Sequence, residues 1–207
     1  MKLFLASGNR HKLGEVAAIL RDAGLTVDLN GADAIGGMPD VDEDAGSFAG
    51  NARKKARALA DRVPAGSWVL ADDSGLCVDF LKGAPGVISS RFAGPDASDC
   101  DNTRLLLERL SGIPEAERSA HFRCVLILLG PDGEEALFDG RCHGRIAAEP
   151  SGYGGFGYDP VFVPDGHSVS FAELDADAKN RISHRAVALA QMVDWLLQSS
   201  PSETGSA

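Results

Sequence analysis

Short apolar runs that close on Gly, Asp and Ser alternate along the chain with segments of helical period. Leu3 to Ala6 is one such run, closed by Ser7-Gly8-Asn9. Leu13, Val16, Ala17 and Leu20 then recur at helical spacing before Gly24, which predicts strand, tight turn and helix. Leu29 to Gly46 is rich in Gly and Asp and holds no period, so a loop with one short strand at most is expected. From Asn51 to Arg62, Ala52, Ala56, Leu59 and Ala60 fall on one side and Arg53, Lys54 and Arg57 on the other, an amphipathic helix. Trp68-Val69-Leu70-Ala71 reads as a buried strand that stops at Asp72-Asp73-Ser74-Gly75 and delivers polar groups at its end.

After the Gly83-Ala84-Pro85-Gly86 loop, Ser98 or Asp99 can cap a helix that runs through Leu105, Leu106 and Leu110 to Gly112. His121 to Leu129 and Glu135 to Asp139 flank Pro131-Asp132-Gly133, a β-hairpin whose second strand continues through Ile146. Ser183 caps a final helix that turns Ala186, Leu189, Ala190, Val193 and Leu197 inward, and a frayed polar tail is expected from about Ser199. Early alternation of strand and helix followed by a meander predicts an α/β fold with a mixed sheet. No linker divides the chain, so one domain over 1–198 and a tail over 199–207 are expected.

Composition narrows the partners. A 207-residue chain can bury roughly 70% of its unfolded surface, and its 44% hydrophobic and 24% charged residues suit a globular domain. The net charge of -10, without a long Lys/Arg stripe, disfavours extended binding to a nucleic-acid backbone but permits capture of a small anion by a few local cations. Cys77, Cys100, Cys124 and Cys142 stand far apart, with no zinc-ligand spacing, and read as reduced thiols. The apolar run within Met1 to Ala6 is too short for a signal peptide and no apolar run approaches ~20 residues, so neither leader nor membrane span is expected and the cytoplasm is the natural compartment.

Several segments place polar or glycine-rich residues at element ends. Ser7-Gly8-Asn9-Arg10-His11-Lys12 opens a helix, where free backbone N–H groups and the helix dipole attract phosphate; an ordinary turn with a solvated lysine is the plainer alternative. Asp72 and Asp73 are adjacent on a strand, where side chains alternate, so one can face a magnesium ion while the other supports the loop. Glu43 offers a second carboxylate, although a solvated acidic loop explains it equally well. In Ser151 to Pro160, glycines permit close backbone approach, Phe156 can present a flat face to a base and Asp159 can accept from a donor. Lys179-Asn180-Arg181-Ile182-Ser183-His184-Arg185 sits at the start of the last helix, again an anion-binding position.

In this order, Ser7-Gly8-Asn9 with Lys12, Phe48, Asn51-Ala52 and Lys55, Ala71 to Leu76, Gly83 to Gly86, Ser90-Arg91, Gly155 to Pro160, and Lys179 with Ser183-His184-Arg185 span nearly the whole chain. The set resembles the inosine triphosphate pyrophosphatase family, also called the dITP/XTP pyrophosphatases. The resemblance implies a two-lobed α/β fold with a long mixed sheet, a nucleotide cleft between the lobes, a magnesium requirement and a homodimer. It implies Asp73 as general base and metal ligand, Ser74 on the substrate, and Ser7 to Lys12 with Lys55 on the triphosphate. Phe156, Gly157, Tyr158, Asp159, Lys179, His184 and Arg185 then surround base and sugar. Relatives commonly carry an acidic residue where this chain has Gly50; Glu43 matches the acidic position nearby.

The expected activity is cleavage of inosine- and xanthosine-type triphosphates to monophosphate and pyrophosphate. Asp73 and Glu43 would serve a Mg2+ ion, Lys12 and Lys55 the phosphates, and Phe156 the purine. A pyrophosphatase for another modified nucleotide, or a non-catalytic nucleotide-binding module, would share parts of this pattern.

Overall fold

In the computed structural model, which describes residues 1–199, the order begins β1 (Lys2–Leu5), α1 (Arg10–Asp22), β2 (Asp28–Gly31), α2 (Phe48–Ala60) and β3 (Trp68–Val78). It continues with α3 (Asp99–Arg109), β4 (Ser119–Leu129), β5 (Glu135–Ile146), β6 (Phe162–Pro164), α4 (Ala176–Ile182) and α5 (His184–Ser199). Among the described residues the strands form one six-stranded sheet in the order β2-β1-β3-β4-β5-β6. β1 pairs in parallel with β2 and β3, and the later pairings are antiparallel, so the sheet is mixed as the alternation predicts.

The long β3–β4–β5 meander crosses both halves of the molecule. At one end, α1 and α5 bury Val16, Leu20, Leu189 and Met192 against Leu3, Leu5, Leu70 and Leu126 on one face. On the opposite face Ala52, Ala56 and Leu59 of α2 cover Phe4, Val69 and Ala71. At the other end, Leu106 of α3 and Leu110 just after it join Leu76, Phe122, Phe162 and Phe171. Gly140 lets α5 lie flush on β5, since a Cβ there would sit 2.2 Å from the His184 carbonyl oxygen and 2.4 Å from the Ala188 nitrogen. This contact fixes the first turn of α5, which carries His184 and Arg185.

Several expectations are corrected. β3 does not stop at Ala71 but runs to Val78, carrying Asp72 and Asp73 in mid-strand, because distant cations meet both carboxylates. α2 begins three residues early, at Phe48, because Ser47 Oγ accepts from the Gly50 N–H. Ala17, Ala190 and Leu197 are exposed, the apolar stripes of α1 and α5 being narrower than the spacing suggests. Lys179 lies on a separate short helix, α4, which ends at Ser183; the Ser183 hydroxyl then accepts from the Ala186 N–H and starts α5. Residues 200–207 of the expected tail lie outside the described residues. No described helix is long and apolar enough to cross a membrane.

Candidate active site

The turn after β1 is built to start a helix. Asn9 caps α1, its Oδ1 accepting from the backbone N–H of His11 (2.9 Å) and Lys12 (3.3 Å), and Ser7 Oγ accepts from the Asn9 N–H. Lys12, half-buried one turn in, donates to Asp72 Oδ1 at 2.5 Å and to Ser74 Oγ at 3.2 Å. From α5, Arg185 donates through Nε to Asp72 Oδ2 at 2.7 Å and through a terminal nitrogen to Ser74 Oγ at 3.1 Å. Ser74 and Cys124 also donate to the Asp72 carboxylate. Burial alone would raise the pKa of Asp72, but Arg185 and Lys12 outweigh it and hold the carboxyl well below its ordinary range.

Asp73 points to the other face. Its carboxylate accepts from Lys55 Nζ at 2.7 Å and from Asn51 Nδ2 at 3.3 Å, both on α2. Asn51 Oδ1 in turn accepts from the Ala45 N–H, tying the acidic loop to this cluster, and Glu43 stands 3.6 Å from Lys55 Nζ. Gly50 lets the acidic loop pack against the start of α2, where a Cβ would lie 2.5 Å from the Ala45 methyl and force the loop to shift. Burial pushes the Asp73 carboxyl up to about 6; Lys55 opposes the shift, and the Glu43 charge adds to it. Burial lowers the Lys55 pKa, yet attraction to Asp73 and Glu43 outweighs that and leaves it above its ordinary value.

The two faces communicate around an open edge. β1 ends opposite Leu70, so β3 has no described strand partner on that side between Ala71 and the Cys77–Pro85 bridge. The Ser7–Lys12 turn lies at this gap. Gly75 lines its far side, where the Gly86 carbonyl and Ser89 hydroxyl approach so closely that a Cβ would lie 2.4 Å from each.

On the Asp72 face, a cleft of about 240 Å3 opens between α1, the glycine-rich loop and the start of α5. It is lined by Asn9, His11, Lys12 and Ser74, by Phe156, Gly157, Tyr158 and Asp159, and by Lys179, His184 and Arg185. Asp159 accepts from Lys179 Nζ at 2.6 Å and from the Phe156 N–H at 2.9 Å, which locks the loop. Burial raises its pKa, against the pull of Lys179. His184 stacks on Phe122, with 4.8 Å between ring centroids. Burial, reinforced by Arg185, drives its pKa well below the ordinary value, so the ring is neutral. Its Nδ1 is buried and has no hydrogen-bond partner among the described residues.

Other expected positions lie elsewhere. Arg10 is exposed and faces Asp33, and Gly8 does not line the cleft. Tyr158 serves the wall, its hydroxyl donating to the Ser89 carbonyl at 2.9 Å. Asp73, Lys55 and Glu43 form the separate cluster beyond the β3 edge. Among the described residues no three His, Cys, Asp or Glu side chains converge as a preformed metal site. Two carboxylates, Asp73 and Glu43, suit a hard cation whose other ligands are water and phosphate oxygens.

The sequence profile of the Ham1 family matches residues 3–195. The chain belongs to the Ham1 family. It is 56% identical to the dITP/XTP pyrophosphatase of Opitutus terrae over 199 residues, covering 94% of this chain and 98% of that one. It is 50% identical to the enzyme of the same name from Streptomyces avermitilis, covering 93% and 95%. The solved HAM1 protein of Coxiella burnetii superposes with a TM-score of 0.84 at 39% identity, covering 96% of this chain and all of that one.

Sequence reasoning missed four contributors to this Ham1-family site. Glu15 pairs with Lys179 Nζ at 2.9 Å and with Arg185, so one carboxylate of α1 holds two cleft cations. Its spacing of three from Lys12 puts both on one helix face, a signal that was available. Phe122 follows from strand alternation in the hairpin. Asp99, which accepts from the Gly157 N–H at 2.7 Å, and Ser89 left no local signal because their partners are remote in sequence.

Proposed function

We propose that the chain is a nucleoside triphosphate pyrophosphohydrolase. It converts dITP or ITP and XTP to the monophosphate and pyrophosphate, removing deaminated purine nucleotides from the precursor pool. The observation that carries the reading is the division of Asp72 and Asp73 across the open edge of β3. One carboxylate organises Lys12, Ser74 and Arg185 beside a base-sized cleft; the other lies with Lys55 and Glu43 where a phosphate chain leaving that cleft would arrive. The names of the relatives supply the substrate class.

Cleavage between the α- and β-phosphates requires a water aimed at the α-phosphorus and positive charge on the departing pyrophosphate. Asp73, with its raised pKa, is the group suited to orient and deprotonate that water, and Lys55 and Lys12 offer charge to the phosphates. Asp73 and Glu43 would hold Mg2+, which when bound offsets charge developing on the phosphate oxygens. The neutral His184, whose Nδ1 has no partner among the described residues, would be the donor to a 6-oxo group in the tautomer that carries the proton there, and a 6-amino group would leave that donor unsatisfied.

The proposal also comprises a single domain over residues 1–198 with a polar tail, a cytoplasmic location and a homodimer. Its test is product analysis across a panel of ITP, XTP, GTP, ATP and pyrimidine triphosphates with Mg2+. Pyrophosphate and monophosphate from ITP and XTP are expected, with ATP far slower. Release of orthophosphate, or equal turnover of ATP and ITP, would overturn it.

A further inference from the structure

The resemblance assigns the whole Ser7–Lys12 turn to the triphosphate, but His11 is placed differently from Lys12. Its exposed imidazole lies nearly parallel to the Phe156 ring, with 5.5 Å between centroids and 23° between planes. Both rings line the cleft that contains Lys179 and His184. We infer that His11 and Phe156 are the two walls of a purine slot, the base entering between the rings, an inference that rests on the nucleotide pyrophosphatase reading above.

Stacked aromatic planes lie about 3.5 Å apart, so a base between two rings needs them about 7 Å apart. At 5.5 Å the pair is closed on itself and must open by about 1.5 Å. The surroundings permit this. Phe156 also lines a second, mainly apolar cavity of about 500 Å3 beside α3, lined by Leu107, Pro150, Tyr153 and Pro160 together with Arg104 and Glu108, toward which its ring can turn away from the Lys179 ammonium 5.0 Å from its centroid. Gly155 and Gly157 flank it with φ of +72° and +62°, and because Asp159 holds the Phe156 N–H, the ring turns about its side-chain torsions while the backbone stays in place. On the other wall, the His11 N–H is held by Asn9 Oδ1, so the imidazole can turn without loss of the helix cap. Stacking reads the face of a base, not its edge. His11 therefore grips purines generally, while the 6-oxo preference belongs to His184.

The test compares His11→Ala and His11→Phe in the full-length enzyme. KM and kcat are measured with ITP, and inhibition is measured with inorganic tripolyphosphate, which has no base. His11→Ala should raise KM about tenfold, the scale of one base–aromatic stack, while the tripolyphosphate inhibition constant stays unchanged. His11→Phe should restore KM. A parallel loss of tripolyphosphate binding would put His11 on the phosphates and overturn the slot, as would a Phe variant no better than Ala. If the wild type released pyrophosphate from no purine triphosphate, the pyrophosphatase reading would be the one to fail. Fluorescence titration with 2-aminopurine riboside triphosphate would then decide the slot alone: quenching lost in His11→Ala supports it, and equal quenching overturns it.

Discussion

Asp72 and Asp73 are consecutive in β3 and send their carboxylates to opposite faces of the sheet, Asp72 to Lys12 and Arg185 and Asp73 to Lys55 and Asn51. Strand alternation alone separates them. The buried Asp72 meets four donors and is structural in character, whereas Asp73 keeps a raised pKa and fewer partners.

Asp73→Asn should therefore lower kcat about a thousandfold, within the range for loss of a general base, with ITP affinity largely kept and the melting temperature not lowered. Single-turnover hydrolysis with nucleotide titration checks this, and near-normal turnover would remove Asp73 from the mechanism.

Asp72→Asn is expected to act through the fold. It weakens the compensation of the buried Arg185 and the half-buried Lys12, and breaking a buried ion pair such as that with Arg185 costs about 3–5 kcal/mol. A denaturation midpoint far below that of Asp73→Asn is the expected result; equal midpoints would mean the cations find other partners.

The raised pKa of Asp73 gives the metal-free protein a pH signature. Folding favours the protonated carboxyl, moving it from 3.8 to about 6. The contribution to stability is then complete below about pH 4 and is lost as pH rises through 6, up to about 3 kcal/mol. Melting curves of wild type and Asp73→Asn without metal should diverge between pH 4 and 7, the variant gaining. Parallel curves would show that burial does not perturb this group.

Local pattern carried the helices and the hairpin because each buries one stripe or face, and Leu106, Leu110 and the β4–β5 register follow directly. It failed where long-range compensation decides. Nothing near Asp72 in sequence reveals that Lys12 and Arg185, 60 and 113 positions away, neutralise it and let β3 continue. The site residues were legible as a set, but their partition was not: that Lys55 and Glu43 sit across the sheet edge from Ser74 depends on β1 ending at Leu5.

Gly140→Ala and Gly14→Ala should move stability in opposite directions. A Cβ at 140 collides with the His184 carbonyl and the Ala188 nitrogen, and overpacking of this kind costs about 1–3 kcal/mol. The displaced first turn of α5 should also raise KM. At Gly14, inside α1, a Cβ meets nothing within 4 Å, and alanine should add about 0.5–1 kcal/mol. Denaturant titration measures both, and destabilisation by Gly14→Ala would contradict the open space there.

Base choice and phosphate handling should separate on substitution of His184 and Lys55. His184→Phe keeps an aromatic ring to stack on Phe122 but removes the unpartnered, buried ring nitrogen of a residue that lines the cleft. The hydrogen bond to a 6-oxo group is lost, while an adenine never had it. Turnover of ITP should fall by about tenfold, the scale of one buried hydrogen bond, and that of ATP should change little, so the ratio between them collapses. Lys55→Gln acts on the other side of the β3 edge, next to Asp73 and Glu43, and touches no group that lines the base cleft. It should lower kcat/KM for every triphosphate by one common factor and leave their order intact. Melting curves confirm that both variants fold. If His184→Phe scaled ITP and ATP alike, or Lys55→Gln changed their ratio, the β3 edge would not be the boundary between recognition of the base and handling of the phosphates.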